Sequence, residues 1–255
     1  MSESPGADLL RLLAHRGALL ERVAEGTNDR RDLVAELAVS RSTVNRGIKD
    51  LLDAGLLVEG SDGFALTRYG RLALEVYRTG EQLARVEPLL EWLPADLPLA
   101  TIRNAEVVFT EPPVPQRPVD DIRSMIEGAT EALALAPAVY PTIVESTVEA
   151  VERSGLSATV VVDETVLEGL WSERPDVMEA GVATEGYTLL ATERAVPFGL
   201  LVVDDRLASI GAHDDAGRLL GLLINEDRET IEWAEATFEA YRRSAEDAST
   251  RRASG

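Results

Sequence analysis

The sequence predicts an α+β module followed by an α/β domain, joined by a helical connector. Three observations carry that expectation. Apolar residues recur at helical spacing up to about residue 52, two short apolar runs then flank Gly60-Ser61-Asp62-Gly63, and beyond residue 100 helical and β-branched runs alternate before strands cluster. The expected divisions are a module over 1–67, a connecting or pairing helix over 68–99, an α/β domain over 100–246 and a disordered tail over 247–255. At 255 residues the chain has length for one large domain or two modest ones, and its 45% apolar content excludes global disorder. The longest apolar stretches, such as Leu219–Ile224, fall far short of the roughly 20 residues that span a bilayer. No signal peptide is read in Met1–Leu13, so a cytoplasmic location without a membrane partner is expected. The absence of cysteine excludes disulfides, thiolate zinc sites and cysteine nucleophiles.

In the module, Leu9, Leu12, Leu13, Leu19, Leu20 and Val23 predict a first helix that Gly26 and Asn28 stop. A second short helix follows over 29–37, with Leu33, Val34 and Leu37 inward. Ala38-Val39-Ser40 is a tight connection, and Ser40 is the expected N-cap of a third helix over 41–52. Val44, Ile48, Leu51 and Leu52 make its apolar face. Arg41, Ser42, Thr43, Asn45, Arg46 and Lys49 occupy the rest, the residue types that donate to phosphates and base edges. A helix, a short turn and a helix with such side chains crowded at its start is a helix-turn-helix. Gly55 suits a left-handed C-cap, and the strand–turn–strand after it supplies a wing with Ser61 and Asp62 at its tip. Gly47 inside the third helix is a departure that costs about 0.8–1 kcal/mol against alanine.

The formal charge of −20 would ordinarily oppose nucleic-acid binding. Many carboxylates, a single lysine (Lys49) and twelve aromatics read instead as the composition of a proteome bathed in molar salt. There the Debye length is about 3 Å and only local contacts count. Residues 1–70 carry a net of −2 and residues 71–255 a net of −18, so the module is the near-neutral part.

The segment Ser40–Gly55 with its wing resembles archaeal and bacterial winged-helix regulators of the MarR, ArsR and TrmB type. Val39-Ser40-Arg41-Ser42-Thr43-Val44 matches their turn and the start of their recognition helix. The resemblance implies a DNA-binding transcriptional regulator. From Thr67 a long helix is expected to run on towards Leu90, with Tyr69, Leu72, Ala73, Val76, Leu83, Val86 and Leu90 as its apolar stripe. Such a helix serves either for pairing two copies or for packing on the next domain.

Beyond the proline-rich stretch 94–118 the expected elements are a strand at 105–109 and helices at 119–135 and 141–155. A buried strand at 158–163 follows, then helices near 164–170 and 175–180. Strands at 187–192, 198–203, 207–213 and 218–224 come next, and a closing helix at 226–245. The order, with Pro197-Phe198-Gly199-Leu200-Leu201-Val202-Val203-Asp204-Asp205 and Gly221-Leu222-Leu223, resembles the middle domain of archaeal methanogenesis and filament regulators. That domain is similar in outline to the phospholipase-D-like sensor half of TrmB-type sugar regulators.

Phospholipase-D chemistry needs a histidine with a lysine two residues on. Position 215, two after His213, is an aspartate, and no Walker A, GxGxxG or GxSxG occurs. No catalytic residue, metal or cofactor is therefore expected. Asp204, Asp205, His213, Asp214 and Asp215 could gather a hard cation, but acidic hairpin tips suit this composition better. Arg194, Arg103 and Arg117 are candidates for holding a small anionic metabolite. The partners expected are double-stranded DNA, a second copy of the chain and such a metabolite. Two rival functions stay open: a phosphate-ester or nucleotide-processing enzyme with a vestigial helix-turn-helix, and a protein-interaction adaptor. The adaptor would be favoured if the third helix faced Glu21, Glu25 and Glu36 rather than solvent.

Overall fold

Local capping fixes the first three helices. α1 (Pro5–Ala24) begins where the Ser4 hydroxyl accepts from the Ala7 amide at 3.3 Å, and it stops at Gly26, whose φ is +106°. α2 (Arg30–Leu37) is capped by the Asp29 carboxylate, and α3 (Arg41–Asp53) by the Ser40 hydroxyl, which accepts from the Thr43 amide at 3.2 Å. Between α2 and α3 the chain turns through Ala38, a non-glycine residue held left-handed at φ 51°. β1 (Leu57–Gly60) and β2 (Gly63–Leu66) form an antiparallel hairpin with Ser61 and Asp62 as its turn. Leu13, Leu20, Leu33, Val44, Ile48, Leu51 and Phe64 share one buried core.

The computed structural model describes residues 4–248 and divides into two units, at Ala84/Arg85. α4 (Arg68–Val86) is shorter than the helix expected to reach Leu90. Pro88 has no N–H for an i−4 carbonyl, and the chain tightens into a 3-10 turn over Glu87–Trp92. Ala73 and Leu74 face the first unit's core, while Tyr69, Leu72, Val76 and Leu83 stay exposed.

The second unit is a mixed sheet between two helical layers. Its elements are α5 (Leu99–Arg103), β3 (Glu106–Phe109), α6 (Arg117–Ile126), β4 (Glu131–Leu135), α7 (Pro141–Ser154), β5 (Ser157–Asp163), α8 (Glu164–Glu173) and α9 (Pro175–Ala183). β6 (Tyr187–Thr192), β7 (Gly199–Val203), β8 (Leu207–His213), β9 (Leu219–Asn225), α10 (Arg228–Arg242) and β10 (Ala245–Asp247) complete it. The strand order is β10-β6-β5-β4-β7-β8-β9-β3; β4, β5 and β6 run parallel to one another and the other pairings are antiparallel. Ala208, Ile210 and Ala212 of β8 point into the core shared with Phe238 of α10. Ser209, Gly211 and His213 alternate onto the opposite face, the one covered by α6, α7 and α9.

Three further sequence expectations are corrected. The helix read over 119–135 is α6 followed by β4. Gly128, at φ +79°, breaks the run, and Glu-Ala-Leu-Ala-Leu extends because it is paired on both sides, with β5 and β7. The closing helix ends at Arg242 rather than Ala245, because Ala245–Asp247 adds an edge strand to β6. Asp247, assigned to the disordered tail, is therefore in a strand, and residues 249–255 of that expected tail lie outside the described residues.

Asp204 shows how the sheet uses its acidic tips. Its carboxylate accepts from the Thr130 amide, the Thr130 hydroxyl and the Glu131 amide at 2.7–2.9 Å, which holds it below the usual carboxylate range. Such a group stabilises the fold above its unfolded pKa, and that stabilisation is lost as pH falls through the lower folded value. Asp204→Asn is expected to cost about 1 kcal/mol at neutral pH. In acid titrations followed by circular dichroism, the gap between the two proteins should close as the wild type protonates.

Candidate nucleic-acid interface

The amphipathic pattern of α3 is realised as read. Val44, Ile48 and Leu51 are fully buried, and Arg41, Ser42, Thr43, Asn45, Arg46 and Lys49 are all exposed. Among the described residues none of Arg41, Arg46 and Lys49 has an ion-pair partner, whereas Arg16, Arg22, Arg30 and Arg78 of the same unit are paired with carboxylates. The first turn of α3 carries no acidic residue, so the positive end of its dipole is uncompensated there. The hydroxyls of Ser42 and Thr43 each lie 2.8 Å from the Ser40 hydroxyl, a network that fixes this turn and orients both groups.

The departure at Gly47 has a physical cause. A Cβ there would stand 3.0 Å from Leu19 Cδ1 and 3.2 Å from Arg16 Cδ, so the glycine lets α1 cross close behind α3. Arg16, which the sequence did not single out, spans the crossing to Asp50 at 3.0 Å. Its only trace in the sequence is an arginine on the half-buried border of α1. Asp50, the acidic residue nearest the middle of α3, is thereby engaged away from the exposed face.

Ser61 and Asp62 are exposed at the hairpin tip. Behind them Arg30 reaches Glu59 at 3.4 Å and lies 4.8 Å over the Phe64 ring. The Phe64 amide donates to the Asn28 carbonyl, so the hairpin is tied to the α1–α2 loop. The acidic residues that would signal an adaptor are occupied elsewhere: Glu21 pairs with Arg78, Glu25 with Arg22, and Glu36 accepts from the Thr27 hydroxyl.

The three arginines proposed for an anion are not gathered together. Arg103 ends α5 and is exposed, while Arg117 opens α6 and pairs with Glu106 and Asp121. Arg194 stacks 3.8 Å over the Tyr241 ring, at a depression also lined by Glu91, Asp96, Asp214 and Asp215. An anion there would meet four carboxylates. Of the acidic tip residues, Asp204 is satisfied by Thr130 and Glu131, and Asp214 by the Arg218 guanidinium and the Ala216 and Arg218 amides. Among the described residues no group of three or more His, Asp or Glu converges as a metal site. Among them, too, no helix is long and apolar enough to cross a membrane.

Comparison with known families decides the assignment of the second unit. Residues 115–244, half of the chain, match the model of the middle domain of the methanogenesis regulatory protein FilR1. The chain belongs to the FilR1 middle-domain family. Residues 5–87 of this FilR1-family chain also match the model of the HVO_A0261 N-terminal domain. No individually curated protein matches it. Among solved structures it is similar to TrmBL2, an archaeal chromatin protein with a novel mode of DNA binding, at 16% identity and a TM-score of 0.43, over 92% of this chain and 93% of that one. It is also similar to NucT from Helicobacter pylori, at 14% identity and a TM-score of 0.47, over 56% of this chain and 98% of that one. Nuc from Salmonella typhimurium, a phospholipase D family member, gives 17% identity and a TM-score of 0.45, over 56% and 97%. All three scores are below 0.5, and the family assignment stands on residues 115–244 alone.

Proposed function

We propose that this chain is a dimeric, non-catalytic transcriptional regulator. Its first unit is a winged helix-turn-helix that places α3 in the DNA major groove. The observation that carries the reading is the row of unpaired cations and hydrogen-bonding side chains on the exposed face of α3, backed by a fully apolar opposite face. Arg41, Arg46 and Lys49 supply charge to phosphates and guanine edges, Asn45 suits adenine, and Ser42 and Thr43 reach backbone oxygens. The wing tip, Ser61 and Asp62, approaches the neighbouring groove. Membership of the FilR1 middle-domain family supports a regulatory role for the second unit. A non-catalytic reading is supported by His213, whose ring bonds to the Gly211 carbonyl of its own strand at 3.2 Å and is followed two residues later by an aspartate.

The deciding experiment is recovery of genomic fragments by the native chain at high potassium chloride. Enrichment of a shared sequence is expected, and recovery indistinguishable from input DNA overturns the reading.

Pairing of two copies through α4 is supported by its outer stripe. Tyr69, Leu72, Val76 and Leu83 are each at least 43% exposed, and they lie on one side of the helix at spacings of three, four and seven, the last step passing over Thr79-Gly80. The double variant Leu72→Glu/Val76→Glu is expected to halve the mass measured by light scattering without unfolding the chain. An unchanged mass would remove α4 from the interface.

A further inference from the structure

The second unit holds a cavity of about 120 Å³ between the sheet and the layer of α6, α7 and α9. Its floor comes from small residues on neighbouring strands. Register places Gly199 opposite Gly211, Leu201 opposite Ser209 and Ala134, and Ala132 opposite Ala158. Ala132, Ala134, Ala158, Gly199, Ser209 and Gly211 thus pave one face where larger residues would fill the space. The two glycines also admit the His213 ring, since a Cβ at either would lie 2.9–3.0 Å from its Cε1. Ala134 and Val160, on adjacent central strands, stay half-buried, although strands in the middle of a covered sheet are ordinarily sealed. The space is partly open to solvent and lined almost wholly by apolar side chains with a few polar groups, the usual form of a small-molecule site.

The lining identifies the occupant's chemistry. No Lys, Arg, Asp or Glu faces the cavity, which excludes a charged ligand. The Ser209 hydroxyl, in a residue only 2% exposed, has no hydrogen-bond partner among the described residues, and buried polar groups of that kind are rare. Beyond Gly211 on the same face of β8, His213 donates from Nδ1 to the Gly211 carbonyl, leaving Nε2 as an acceptor when the ring is neutral, the form that burial favours by lowering its pKa. At the far end, burial pushes the Tyr187 phenol up to about 12. Water alone fills such a space poorly, because each molecule needs two to four polar partners. A closed apolar cavity of roughly 150 Å³ accepts benzene; this one, about 120 Å³ but open on one side, takes a single ring with its rim at the mouth.

We propose that this cavity is a binding site for a small neutral ring compound carrying one hydroxyl, of about the size of phenol, with the hydroxyl on Ser209. The site stands apart from the DNA reading, and its test uses no DNA.

The full chain is titrated with phenol, toluene and benzoate, following heat of binding and thermal midpoint. Saturable binding of phenol and toluene is expected, with phenol five- to tenfold tighter and benzoate not bound. Ser209→Ala should weaken phenol to the level of toluene and leave toluene unchanged. Ala134→Leu, which fills the floor, should abolish both. A readout independent of any variant is the fluorine resonance of 4-fluorophenol bound to the wild-type chain, which excess toluene should return to its free position. Absence of saturable phenol binding, an unaltered phenol preference in Ser209→Ala, or failure of toluene to displace 4-fluorophenol would each overturn the proposal.

Discussion

With Arg41, Arg46 and Lys49 all replaced by alanine, the chain is expected to keep its thermal midpoint and to lose affinity for duplex DNA by a hundredfold or more. The three side chains are exposed and make no ion pair among the described residues, so the fold has little to lose. The loss of affinity follows from what each could contribute, about 1–3 kcal/mol for a base-edge contact. The salt dependence discriminates further. Each phosphate contact removed lowers the slope of log K against log salt by about 0.9. If all three cations sit on phosphates, the slope therefore falls by about 2.7, and any that reads a base lowers sequence preference instead. Measured by fluorescence anisotropy over a potassium chloride series in which both proteins remain folded, equal affinity and equal slope would exclude α3 as the DNA-contacting helix. The overall charge of −20 makes the result more telling, because a binding face has to be local in a chain so acidic.

Gly70→Ala is expected to be the most damaging single substitution in the first unit. An added Cβ would lie 2.0 Å from the Leu56 carbonyl oxygen. That oxygen cannot retreat, because it accepts from the Thr67 amide at 3.0 Å and so holds the start of α4 against the end of α3. Overpacking against rigid backbone costs about 3 kcal/mol, a fall in thermal midpoint of roughly 10–20 °C for a unit of this size. Gly80→Ala, on the same helix, has nothing within 4 Å of the new carbon. It is expected to stabilise by about 0.5–1 kcal/mol through helix propensity. If both variants melted alike, the close approach at Gly70 would not be the cause.

The contrast between these glycines also marks where sequence reading stops. In α3, Ser40 before a polar turn, Val44, Ile48 and Leu51 at helical spacing and Gly55 after the last turn are local signals, and the structure follows them. Gly47 read as a defect, since nothing nearby in the chain says that Leu19 and Arg16 of α1 pack where its side chain would stand. Glu131–Leu135 read as helix because alanine and leucine favour it, and it is a strand only through β5 and β7 on either side. The stripe on α4 was legible as apolar. Its exposure was not, because Ala73 and Leu74 had to be seen turning inward first.

The sequence by itself determined the first three helices, the hairpin and the polar face of α3, since capping and periodicity act over a few consecutive residues. Only the tertiary structure decided the order of the eight-stranded sheet, the engagement of the acidic residues around α3 and the cavity floored by Ala134, Ser209 and Gly211. Those features join residues from strands far apart in the chain. Small side chains become a binding surface only once hydrogen-bond register has set them side by side.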